Sequence, residues 1–258
     1  MALENERIDE AERLRPFFAV QLQFAERLAT LGGPPFPEAV LRYTNLHRRF
    51  GLGRADPDRP RSEWLRIEAQ LVQRQGLQER LDAIVSCYAD AKPQADLTPR
   101  FGCFRFDPPG SDGVVRIHFS SRDADDVSPL ARDRAERRRA ELAEMCAYIG
   151  RHHPDAKTVQ GGSWLYNLEA YCRLFPPAYV ASRRTPTQVR LDGTSTWGQL
   201  LTYRGELKTA VRDQLVGRLG EIELTAPWRV FPLQALGVQA PFRVFQDHFA
   251  GLRRAGRD

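Results

Sequence analysis

Lysine, methionine and cysteine are all scarce in this chain: Lys92, Lys157 and Lys208 are its only lysines, and 258 residues include two methionines and four cysteines. Cys87, Cys103, Cys146 and Cys172 stand far apart and form no CxxC pair, which argues against a disulfide framework and a zinc ribbon. Histidine is equally dispersed, with no HxxxH or HxH spacing, so no metal site is expected. No apolar run approaches the roughly 18–20 residues that span a bilayer, which excludes a membrane-spanning helix and a membrane partner. The opening residues, MALENERIDEAERLR, are charged where a signal peptide would be apolar. A cytoplasmic protein with reduced thiols is the expectation.

What the chain does have is arginine. Lysine and arginine together number 38 against 33 acidic residues, giving a net charge of +5. Guanidinium groups hold phosphates and carboxylates in a bidentate fashion, so an anionic ligand is one reading. A non-enzymatic module that binds nucleic acid or a partner protein through arginine-rich helix surfaces is the alternative. The run Arg132 to Arg139 is its best support, although Asp133 and Glu136 interrupt it. With 42% hydrophobic residues, the length suits one large domain or two unequal ones.

Periodicity separates two parts. In residues 1–97, Ile8, Ala11, Leu14, Phe18, Leu22 and Ala25 recur at helical spacing, with Pro16 expected to kink or restart the helix. Further helices are expected around Val40 to Phe50, around Trp64, Ile67 and Leu71, and from Leu77 to Tyr88. From Phe101 the period falls to two. FGCFRF and VVRIHF, joined by the turn-forming DPPGSDG, predict a hairpin in which Arg116 and His118 share one face. A helix capped by Ser128 and Pro129 follows, with Leu142, Met145, Cys146 and Ile149 inward and arginines outward. Next come a strand at Thr158 to Gln160, a turn at Gly161, Gly162 and Ser163, and a short helix stopped by Pro176 and Pro177. AYVAS and TQVRL read as further strands, and Trp197 to Leu219 as a helix broken near Gly205. The expected fold class is α+β: a helical amino-terminal module over 1–97, then a mixed α/β core with a carboxy-terminal extension over 98–258.

Several side chains carry chemistry. His118 is the strongest general-base candidate, because imidazole titrates near neutrality and Arg116 lies beside it. Gly161, Gly162 and Ser163, with Trp164 and Asn167, offer backbone amides and an aromatic wall at a turn that can receive an anion or an oxyanion. The string RRFGLG, Arg48 to Gly53, has the letters of a pyrophosphate cradle. It ends a predicted helix, however, and reads as a C-cap with Gly51 in the left-handed region.

The succession VVRIHF, SPLARDRAERRRAELAEMCAYI and TVQGGSWLYNLEAYCRLFPP, within residues 100–215, resembles acyltransferase domains distantly related to the GNAT superfamily. His118 occupies the family's I-H position, and Ser163, Trp164 and Leu165 its S-W-L positions. Tyr166 and Asn167 depart from the apolar and acidic residues found there. The resemblance implies a GNAT-like core that transfers an acyl group, with a coenzyme A thioester as donor, to an amine of a small molecule or peptide. On this expectation His118 is the base, Gly162 and Ser163 contact the carbonyl and Tyr166 donates a proton. Arg116 would meet substrate, while Arg183 and Arg184 would meet the phosphates or carboxylates of the donor.

Overall fold

The computed structural model describes residues 2–91, 98–121 and 126–255. Its helices in chain order are α1 (Ala2–Thr30), α2 (Phe36–Tyr43), α3 (Leu46–Arg49), α4 (Ser62–Gln73), α5 (Leu77–Asp90), α6 (Ala135–His152), α7 (Glu169–Cys172), α8 (Pro177–Ala181), α9 (Thr194–Trp197), α10 (Thr209–Gly217) and α11 (Phe242–Ala255). The strands are β1 (Arg100–Phe101), β2 (Phe104–Asp107), β3 (Val114–Phe119), β4 (Thr158–Ser163) and β5 (Leu236–Pro241). The class is α+β, and a helical region precedes the sheet.

Two compact units divide these elements: Met1–Ala95 with Gln188–Leu233, and Asp96–Thr187 with Gln234–Asp258. The stretch expected to extend the α/β core, residues 188–233, instead joins the helical unit. Its anchor is Trp197, fully buried against Phe17, Phe24 and Phe231, with its indole N–H donating to Tyr43 O at 3.1 Å. The boundary expected after residue 97 and the end of the basic tail, residues 256–258, fall outside the described residues.

In the first unit α1 buries Ala11, Leu14, Phe18, Leu22 and Ala25 on one face, as the spacing predicts, whereas Ile8 is exposed. Pro16 lies inside a helix that continues to Thr30, so no restart occurs there. The helix expected from Val40 to Phe50 is two, α2 and α3, because Thr44 adopts an extended conformation between them. Gly51 closes α3 at φ 77°, Gly51 N–H bonding Arg48 O at 3.0 Å and Leu52 N–H bonding His47 O at 3.1 Å. That is a Schellman ending, so RRFGLG caps a helix. Downstream, TQVRL forms no strand, and Gly205, at φ 81°, turns the chain between α9 and α10.

The second unit is built on a five-stranded sheet in the order β1-β2-β3-β4-β5. All neighbours are antiparallel except β3 and β4, which are parallel and joined through α6. One sheet face is apolar: Phe104, Phe106, Val115, Ile117, Val159 and Val238 pack with Leu142, Met145 and Ile149 of α6 and with Phe245 of α11. A sheet covered on one side leaves its other face polar, and that face carries the candidate residues described below. Local expectations shift in three places. Helix α6 starts at Ala135, because Ser128 Oγ caps a separate turn by accepting from Leu130 N–H at 3.3 Å. The glycines Gly161 and Gly162 are strand residues, paired with Val238 and Gly237 of β5. AYVAS belongs to the helix α8, whose first position is Pro177, where the missing N–H costs nothing.

Candidate functional site

Alternation along β3 sorts its side chains between the two faces of the sheet. Val115 and Ile117 are buried, so the exposed Arg116 and half-buried His118 project from the opposite, polar face. The β2–β3 register sets Asp107 across from Arg116, and Arg105 across from His118. Asp107 reaches diagonally, with its Oδ2 2.8 Å from His118 Nε2. The contact is an ion pair when the imidazole is protonated; it does not meet hydrogen-bond geometry at Nε2.

The His118 imidazole beside it outweighs burial and holds the Asp107 carboxyl below its ordinary range. A depressed carboxyl pKa stabilises the fold above the unfolded value, near pH 4, and that contribution disappears as pH falls through the folded value. The thermal midpoint of the native chain is therefore expected to fall more steeply than that of Asp107→Asn between about pH 5 and pH 3. The difference will be small, because the pair is partly exposed.

Beside His118 the sheet opens. The β3–β4 ladder consists of Val114↔Thr158, Val115↔Val159 and Arg116↔Gln160. Beyond Gln160, β4 stays paired with β5 to Ser163, whereas β3 stays paired with β2 to Phe119. The parallel strands thus part at His118 and Gly162. Gly162 lies opposite Gly237, and a Cβ at Gly162 would meet nothing within 4 Å. At Gly237 the nearest atoms would be Arg184 O and Cγ, 3.8 and 4.0 Å away. Two facing glycines leave bare backbone between His118 and Arg184. Arg184 is fixed there by backbone bonds to Gly237 of 2.9 Å in both directions, and its Nη2 donates to Gln239 Oε1 at 3.1 Å.

The remaining candidates divide by face. Gly161 points into the core, where Tyr166 and Tyr179 share a hydroxyl hydrogen bond of 3.0 Å. Tyr166, expected as the proton donor, is buried on the opposite side of the sheet from His118. Burial raises its phenol well above the usual tyrosine range, so it releases a proton reluctantly. Ser163 accepts from Leu165 N–H at 3.2 Å and caps the short 3-10 turn that contains Trp164. Asn167 ties that turn down, its Nδ2 donating to Trp164 O and Gln234 O at 2.7 and 2.8 Å. Arg183 donates to Tyr166 O at 3.1 Å and so serves the packing of this segment, while its neighbour Arg184 reaches the polar face. The structure therefore groups His118, Arg116, Gly162 and Arg184, and leaves Tyr166, Gly161, Asn167 and Arg183 as supports.

Asp107, Gln160, Gly237 and Gln239 share this face with the candidates, and local sequence patterns do not single them out. Each becomes visible only through strand register.

The arginine run on α6 is partly internal. Arg138 is fully buried on Glu141, and Arg139 donates to Arg173 O at 3.0 Å. Among the described residues no cluster of three or more His, Cys, Asp or Glu is arranged to hold a metal, and no helix is long and apolar enough to cross a membrane. The first unit has an open cavity of about 710 Å³ lined by Ile67, Ser86, Cys87 and three arginines, with Glu63 and Asp90 offsetting their charge. No protein-family profile, curated protein or solved structure matches the chain significantly.

Proposed function

We propose that the polar face of the sheet in the second unit is an active site for acyl transfer to an amine, with His118 as general base. The observation that carries this reading is the His118–Asp107 pair, 2.8 Å apart, standing where two parallel strands part over bare glycine backbone. The resemblance of VVRIHF and GGSWLYN to acyltransferase motifs points the same way. Asp107 lies against the Nε2 edge and would stabilise the imidazolium, leaving Nδ1 as the atom to accept the proton of the amine. The amine nitrogen attacks the acyl carbon; a C–N bond forms and the bond from that carbon to the leaving heteroatom breaks. The proton lost by nitrogen passes to His118 Nδ1 and from there to the leaving group. Atoms and charge therefore balance without a further reactant.

Coenzyme A does not fit the residues present. RRFGLG is a helix C-cap, and the amides after Gly162 begin a 3-10 turn already capped by Ser163. Neither forms the strand-to-helix cradle that a pyrophosphate needs. The donor is accordingly written as an activated ester or thioester of unspecified carrier.

Steady-state aminolysis of an acyl thioester by a panel of primary amines tests the reading. His118→Ala should lower kcat/KM by about 10²–10⁴. Tyr166→Phe should leave turnover within about threefold, since its hydroxyl lies on the far side of the sheet. Unchanged turnover in His118→Ala would sink the assignment.

A further inference from the structure

The open cavity of the first unit has one wall, residues 50–52, that is held by a buried imidazole. His47 of α3, 1% exposed, grips this wall at two points. Its backbone oxygen accepts from Leu52 N–H at 3.1 Å, and its ring Nδ1 lies 3.2 Å from Gly53 O. A carbonyl only accepts, so Nδ1 carries the hydrogen and the neutral ring keeps its lone pair at Nε2. The ring packs on the fully buried Trp64, with 5.3 Å between centroids. Leu52 stands between Gly51 and Gly53, both in the left-handed region at φ 77° and 75°. The wall is thus hinged at each end by a residue that changes conformation at little cost.

We propose that His47 is an acid-released latch: neutral, it holds residues 51–53 in place, and on taking a proton it leaves its buried seat and frees that wall of the cavity. Nε2 of His47 has no hydrogen-bond partner among the described residues, so a second N–H would be buried without an acceptor. The charged groups around the ring add to that cost. Arg48 on its own helix and Arg61 just before α4 disfavour a positive ring, whereas Asp192 favours it. Asp192, however, gives both carboxylate oxygens to Arg190, at 3.0 and 2.6 Å, and its backbone oxygen to Arg48 Nε at 3.1 Å. Glu63 on α4 is exposed and lies in the field of Arg61 and Arg66. Burial first, then the two guanidinium groups, hold the imidazole below its ordinary pKa, although the bond to Gly53 O opposes them. A ring released to water titrates near its ordinary value of about 6.5. The closed wall therefore binds fewer protons than the open one. It is fully stable above that value and loses ground as pH falls below it, by up to about tenfold per pH unit.

Amide hydrogen exchange of the full chain between about pH 7.5 and about pH 5, expressed as protection relative to an unstructured peptide, tests the latch. Protection at Leu52 should lie at least about tenfold below that at Leu22 inside α1, because the wall opens without the rest of the unit. It should fall by at least about fivefold across that pH range. His47→Asn keeps a donor toward Gly53 O and takes up no proton, so the fall at Leu52 should shrink to less than about twofold. Protection at Leu52 equal to that at Leu22 at every pH, no fall in the native chain, or the same fall in His47→Asn would each overturn the latch. Should His47→Asn not fold, the ring-carbon resonance of His47 in the native chain decides. A midpoint below about pH 6.5 that coincides with the loss of Leu52 protection supports the latch, and a midpoint at or above that pH overturns it.

Discussion

Replacing Glu141 with alanine is expected to destabilise the chain by about 3–5 kcal/mol. Arg138 is fully buried on α6, and its Nη1 donates to both oxygens of Glu141 at 2.8 and 2.7 Å. The same carboxylate accepts from Cys103 N–H at 3.0 Å. It rests directly on Gly102, whose φ of 58° and missing side chain make room for it. Removing Glu141 takes the counter-charge from a guanidinium that water cannot reach and the acceptor from a buried amide. The variant Glu141→Gln keeps an acceptor and should lose less. The double variant Arg138→Met/Glu141→Leu, which fills the volume with apolar atoms, should recover most of the loss. Urea midpoints at constant m-value read these differences. A loss below about 1 kcal/mol for Glu141→Ala would mean that the pair adds little beyond its packing.

Adjacent glycines in β4 are expected to respond in opposite ways to alanine. At Gly161 a methyl group would overlap Tyr166 Oη, lie 2.5 Å from Tyr179 Oη and lie 2.9 Å from Tyr166 Cζ. Neither ring has room to retreat, since both are buried and Tyr179 packs against Phe245 at 4.8 Å between ring centroids. The hydroxyl pair must separate, so Gly161→Ala should cost about 3 kcal/mol through overpacking and the lost hydrogen bond. At Gly162 the methyl would enter open space, and stability should stay within about 0.5 kcal/mol of the native chain. Its effect belongs to function, because the methyl stands on the glycine patch beside His118 where, on the acyl-transfer proposal, the reacting amine has to lie. Turnover should fall by about tenfold or more through that misplacement alone. Equal stability losses at the two positions would show that the strand does not present them to opposite faces.

Much of the local structure was legible because periodicity reports which face of an element is apolar. The buried stripes of α1, α4 and α5, the Gly51 cap, the β2–β3 hairpin and the common face of Arg116 and His118 all follow from spacing and turn chemistry. The site was legible only in part. His118 stands out by residue type, but Asp107 ends a different strand, and only the cross-strand register brings it within 2.8 Å. Arg138 was expected on the outer side of α6. It lies four residues before Leu142 on the inner face and is accommodated because Glu141 and the Gly102 backbone complete its surroundings. The Gly161 and Gly162 pair resembles a turn because glycine is a turn former. Pairing with β5 overrode that preference and made the two residues point to opposite sides of a strand.

By itself the sequence determined the fold class, the positions of most helices and the placing of an imidazole and a guanidinium on one sheet face, all consequences of short-range alternation and capping. Tertiary structure decided the rest. It returned residues 188–233 to the helical unit through Trp197, buried Tyr166 away from His118, supplied Asp107 as its partner, and aligned Gln160 and Gln239 beside Arg116. Each of these depends on contacts between residues distant in the chain, whose partners are set by register and shared burial and leave no trace in the local pattern.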